Sequence, residues 1–188
     1  MVRFADDFLI MFQYERDAQR VYEAVIKRME LFGLELSKEK TRILPFGRYS
    51  GSRETFDFLG FTHFNSKTRK GYYSVGHKIS RKKKKQFKSN LKKWVKENRN
   101  TQFDEFMKAL NKKLTGSFNY YSLSGMIREV RNLWQHSLYV TFKWLNRRSQ
   151  RRSFKLERFY EIWNDRIIHP YIHVDIWSGD KVIYNKNV

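Results

Sequence analysis

Val2-Arg3-Phe4-Ala5-Asp6-Asp7-Phe8-Leu9-Ile10-Met11-Phe12 sets two adjacent carboxylates between apolar, strand-favouring residues. Aspartate is a turn former, so the stretch predicts a β-hairpin with Asp6 and Asp7 at its tip. Two negative charges held side by side repel, and a cation between them removes the repulsion. Hard oxygen ligands in a chain without cysteine suit Mg²⁺, which takes one or two protein carboxylates and fills its other positions with water and substrate phosphates. The chemistry this implies is phosphoryl or nucleotidyl transfer with two metals roughly 3.5–4 Å apart. An acidic turn with no ligand also satisfies the dipeptide, and the residues that follow must decide.

Working outward, Ala18, Val21, Tyr22, Val25, Met29 and Phe32 recur at helical spacing, with Glu15 and Asp17 ahead of them and Gly33 where a C-terminal cap belongs. This predicts an amphipathic helix over 17–32 packed on the strands. Leu34–Leu36 and Thr41–Leu44 read as short extended pieces ended by Pro45, with Lys40 in the loop between them. Gly47–Arg53 is a polar connector without phosphate-loop spacing. Phe56–Thr62 and Tyr72–Val75 read as strands around a second hairpin with a basic tip, Asn65–Gly71. Gly60, inside the first of these strands, predicts either a close approach by another backbone or a plain packing glycine.

From Ser80 the pattern becomes almost wholly helical. Phe87, Leu91, Trp94 and Val95 form one inner stripe, and Phe103, Phe106, Met107, Leu110 and Leu114 a second. Ile127, Val130, Trp134, Leu138, Thr141 and Leu145 run through a long third helix, and Leu156, Phe159, Tyr160, Trp163 and Ile167 make a fourth. Arg81, Lys82, Lys83, Lys84 and Lys85, with Lys88, crowd the first helix's start, where cations oppose the macrodipole at about 0.3–1 kcal/mol each. Either they are solvated or they meet phosphates. Arg147, Arg148, Arg151 and Arg152 lie at the long helix's end, where positive charge is electrostatically favoured, and their forks also pair with phosphate. Trp144 and Phe154 beside them either pack or stack on bases. Pro170 separates His169 from His173 and breaks the helix that would align them, so no zinc site is expected.

Lys and Arg total 39 against 19 Asp and Glu, and the resulting +20 calls for a polyanionic partner. Aromatics at 17% exceed what a disordered chain carries, so the basic protein should fold. Without cysteine there are no disulfides or thiolate metal sites. No apolar run approaches the roughly 20 residues of a membrane span, and Met1 leads into a strand rather than a signal peptide, so a cytoplasmic location is the default.

Arg3-Phe4-Ala5-Asp6-Asp7-Phe8 resembles the Tyr-Ala-Asp-Asp loop of reverse transcriptases, with Phe4 in place of the usual Tyr. Gly33-Leu34-Glu35-Leu36-Ser37-Lys38-Glu39-Lys40-Thr41 and Phe58-Leu59-Gly60-Phe61 are similar, in order, to the next two palm motifs of the group II intron type. Gly116-Ser117-Phe118-Asn119-Tyr120-Tyr121 and Trp144-Leu145-Asn146-Arg147-Arg148-Ser149 look like that family's thumb, the maturase domain, although Ser117 stands where the family usually has Trp. The resemblance implies an α+β fold: a partial palm over 1–79, a helical thumb over 80–169 and a tail over 170–188. It implies that Asp6 and Asp7 bind Mg²⁺, that Lys40 lies beside the incoming nucleotide, and that Phe58, Leu59 and Gly60 hold the primer end.

The implied partners are RNA, as intron or template-primer, with DNA as a further candidate. The resemblance covers only the end of such an enzyme. Fingers and the first metal-binding aspartate are expected from an upstream chain, and the polypeptide alone is not expected to polymerise. Two other readings remain open: a non-catalytic intron-RNA-binding maturase module, and a generic basic nucleic-acid-binding protein.

Overall fold

The structure, a computed structural model, describes residues 1–37, 39–148 and 153–175. It is α+β, and two compact units divide the chain, Met1–Gly76 and His77–Val188.

In the first unit, β1 (Val2–Phe4) and β2 (Asp7–Leu9) pair antiparallel, with Phe4 opposite Asp7, so Ala5 and Asp6 alone make the turn. Ala5 has φ 49°, the positive value that a tight hairpin turn asks of its first central residue. Helix α1 (Glu15–Leu31) follows. Gly33, at φ 66°, closes it: its amide donates to the Glu30 carbonyl and that of Leu34 to Met29, which satisfies two carbonyls otherwise left open at the helix end. The expected burial of α1 on the strands is not found. None of its residues is buried, and its apolar stripe stays half-covered. Leu34–Leu36 and Thr41–Leu44 form no strands.

Phe56–Thr62 is not one strand, as its alternation suggests. β3 (Thr55–Phe58) and β4 (Phe61–Lys67) pair through a two-residue turn at Leu59-Gly60, with Phe58 opposite Phe61. Both turn residues have positive φ, 49° and 82°, the primed geometry that matches the twist of paired strands. Gly60 is therefore a turn glycine. β5 (Tyr73–Ile79) completes the sheet in the order β3-β4-β5. The β4–β5 turn, closed by Thr68 and Tyr72, carries the expected basic tip. The Asn65 side chain ties this hairpin to the Gly47–Arg53 connector: it accepts from the Gly47 amide and the Tyr73 hydroxyl and donates to the Ser52 carbonyl.

The second unit holds α2 (Arg81–Asn98), α3 (Phe103–Tyr121), α4 (Ile127–Leu145) and α5 (Leu156–Arg166). Ser80 caps α2 by accepting from the Lys83 amide, and α4 packs against each of the other three helices. The predicted stripes face inward: Leu91 and Val95 from α2, Phe106, Met107, Leu110 and Leu114 from α3, Val130, Trp134, Thr141 and Leu145 from α4, Phe159 and Trp163 from α5. Rings interlock across them, Trp94 with Phe106 and Trp134 with Trp163. Each large apolar side chain so buried contributes about 1.5–3 kcal/mol.

Beyond α5 the chain folds back. Ile167 ends the helix, the His173 and Val174 amides donate to the Ser122 carbonyl, and the Tyr171 hydroxyl donates to Asn119. His169 stacks on Trp134 with its Nε2 against the Asn164 carbonyl. The tail from Trp177 onward lies outside the described residues.

Candidate nucleic-acid interface

Hairpin β1–β2 puts Asp6 in the turn and Asp7 at the first position of β2, both exposed. Among the described residues neither carboxylate pairs with a cation, and no set of three His, Cys, Asp or Glu gathers to hold a metal. Two free, hard oxygen donors fit part of a Mg²⁺ shell, and the rest of that shell has to come from elsewhere. Lys40 is exposed in a turn where its amide donates to the Ser37 carbonyl, and Lys38 of the same motif lies outside the described residues. Phe58 and Leu59 are half-buried at the β3–β4 turn with Gly60. Holding a leucine in the left-handed region costs about 1–2 kcal/mol, strain of the kind that concentrates at functional positions.

On α2 the basic run does not act as one block. Lys84 turns to α4 and pairs with Glu129 at 2.5 Å, so its charge is already matched. Arg81, Lys82, Lys83, Lys85 and Lys88 are exposed, and among the described residues none of them has a carboxylate partner. At the end of α4, Arg147 is exposed while Arg148 is half-buried and donates to the Leu145 carbonyl; burial pushes the Arg148 guanidinium below its usual range. Arg151 and Arg152 lie outside the described residues. Phe154 packs on Phe103 and Phe159 rather than standing free. Asn146 clamps it, donating to the Phe154 carbonyl at 3.1 Å and accepting from its amide at 2.8 Å.

Residues that the sequence reading passed over extend this surface. From Lys85 and Lys88 the cations continue along α2 through Lys92, Lys96 and Arg99 at spacings of three and four, which puts all five on one face. The Arg99 guanidinium crosses to the Arg147 carbonyl, so the stripe meets the end of α4. Lys143 of α4 adds to it, and His136 lies alongside near Lys92. Burial, and then the nearby Lys88, hold the His136 imidazole below its usual range, so it is neutral at pH 7. The signal was present as an i, i+3, i+7, i+11, i+14 repeat of cations, but the unbroken run at Arg81–Lys85 is the more conspicuous pattern.

Two family comparisons bear on this arrangement. Residues 1–63 match the reverse transcriptase (RNA-dependent DNA polymerase) family, and residues 84–161 match the group II intron maturase-specific domain. Compared with curated proteins and with solved structures, the chain finds no match. Both matched domains imply RNA binding, and the reverse transcriptase family generally uses divalent metals. Among the described residues no helix is long and apolar enough to cross a membrane. A reverse-transcriptase match followed along the chain by a maturase-specific match supports a relation to the C-terminal part of group II intron reverse transcriptase/maturases.

Proposed function

We propose that the helical unit grips the phosphate backbone of intron or template-primer RNA, and that Asp6 and Asp7 supply two ligands of a nucleotidyl-transfer site completed by protein outside this chain. The observation that carries the first part is the cationic stripe Lys85-Lys88-Lys92-Lys96-Arg99, which meets no carboxylate among the described residues. A face of that kind repels itself until an anion of matching length neutralises it. The second part is supported by the exposed, unpaired Asp6 and Asp7 on a short hairpin. A divalent metal bound there would act as a Lewis acid on the transferring phosphate. The chain's own residues would orient that metal through Asp6 and Asp7, place the Lys40 ammonium towards the leaving phosphates, and seat the primer end against the Leu59-Gly60 turn.

On this reading the chain alone binds RNA without extending a primer. A purely RNA-binding maturase role is the second reading, favoured by the confinement of the buried apolar side chains, among the described residues, to the helical unit.

The test takes the chain with and without a supplied fingers-and-palm segment. Affinity for folded intron RNA and for plain duplex of equal length is measured across a salt series, and primer extension is followed in parallel. Expected are tighter binding to the folded RNA, a steep loss with salt, and extension only in the reconstituted form and only with Asp6 intact. Extension that survives Asp6→Ala overturns the metal assignment; equal affinity for both RNAs overturns the specific RNA role.

A further inference from the structure

A cavity of about 260 Å³ opens where Lys92 of α2 faces His136, Tyr139, Lys143, Trp144 and Arg147 of α4. A second, about 700 Å³, shares Tyr139, Lys143 and Arg147 and runs on to Lys155, with Glu157 as its acid. Tyr139 sits in mid-helix yet is 59% exposed, and among the described residues its ring meets no other ring. The Lys143 ammonium lies 5.9 Å from that ring. Beside it, three cations converge on the Trp144 ring: Arg99 and Arg147 at 5.4 Å and Lys96 at 5.8 Å. Cation–π attraction offsets some of their mutual repulsion, at about 0.5–1 kcal/mol each, but among the described residues no carboxylate offsets the rest.

We propose that this groove holds an unpaired nucleotide, with its base stacked on Tyr139 and its phosphates met by Lys92, Lys143 and Arg147. Paired bases hide their faces in the duplex stack, so an aromatic ring set among cations gains its stacking only from a base that has left the stack. An acidic peptide would satisfy the cations but would make no use of the open ring. The inference rests on the RNA-binding reading above and specifies the structural element that is recognised.

The test uses the full chain and two RNA hairpins of equal length and charge, one with a short unpaired bulge and one fully paired. Binding is followed by anisotropy at fixed salt. The wild type should favour the bulged RNA by about tenfold, within the range of one stacked base. Tyr139→Ala should bring that ratio close to one, Tyr139→Phe should keep it, and Lys143→Gln should weaken both complexes and lower the salt slope by about one. A wild type without preference, or a preference that survives Tyr139→Ala, overturns the stacking site while leaving general RNA binding intact. Polyglutamate that competes as well as bulged RNA at equal charge assigns the groove to acidic peptide and overturns it as well. Failure to bind either hairpin overturns the underlying RNA reading, and this inference with it.

Discussion

The two halves of the chain solve the burial problem in opposite ways. From His77 onward, helices with strong 3.6-residue stripes close on one another, and all seventeen buried hydrophobic side chains of the described residues lie there. In Met1–Gly76 there is none, and Phe4, Leu31 and Phe32 stand 63%, 83% and 67% exposed. That half is organised by hydrogen-bonded turns, the helix stop at Gly33 and the Asn65 hub. Its helix has an apolar face that stays half-covered among the described residues, and an element needs a second layer before its hydrophobic stripe stabilises anything. The comparison teaches that regular secondary structure and a stabilising core are separate achievements, and that only the helical half has both.

The largest effect that sharpens this contrast is expected at Trp163, fully buried in α5. Trp163→Ala should remove about 3–5 kcal/mol from the helical unit, read as a drop in the urea midpoint followed by far-UV circular dichroism. Leu31→Ala in α1 should stay within about 0.5 kcal/mol in the same melt. A large cost at Leu31 would break the comparison, since it would mean that α1 is covered after all.

Smaller, and confined to the first half, is Gly76→Ala. A Cβ there would come 2.5 Å from the Phe64 ring across the β4–β5 pair, so the strands must part or the ring must turn. A loss of about 1–3 kcal/mol is expected in protection of the β4 amides from hydrogen exchange, with the helical amides unaffected. Equal loss in both halves would show that they unfold as one.

The smallest effect runs the other way. Gly116 lies inside α3 with open space around its Cα, so Gly116→Ala should stabilise the helical unit by about 0.5–1 kcal/mol in thermal melting. Destabilisation would mean that the helix surface there is packed against something.

Much of this was legible in the sequence because periodicity speaks directly to local structure. The aspartate hairpin, the Gly33 stop and the stripes of the four later helices all follow from spacing and from residues with one dominant conformational role. The Leu59-Gly60 turn did not, because apolar residues on both sides mimic one continuous strand and a leucine with positive φ has no sequence signature. Nor could the stripe of α1 reveal that it would stay only half-covered: amphipathicity marks a face that needs a partner, without supplying one. The cations at Lys92, Lys96 and Arg99 escaped notice since they are neighbours on a helix and not along the chain. Tyr139 falls outside the apolar stripe of α4, and nothing in the sequence shows that its ring stays exposed beside those cations.

The hook formed by Tyr171–Val174 carries a consequence for how the helical unit comes into being. Its amides occupy the Ser122 carbonyl at the α3–α4 corner, and Val174 bridges to Leu123, so residues near the end of the chain finish a bend made fifty positions earlier. A nascent polypeptide stopped before Tyr171 would leave that corner with an unanswered acceptor, and the corner and the returning segment should therefore lock together late, as a single closing step of folding.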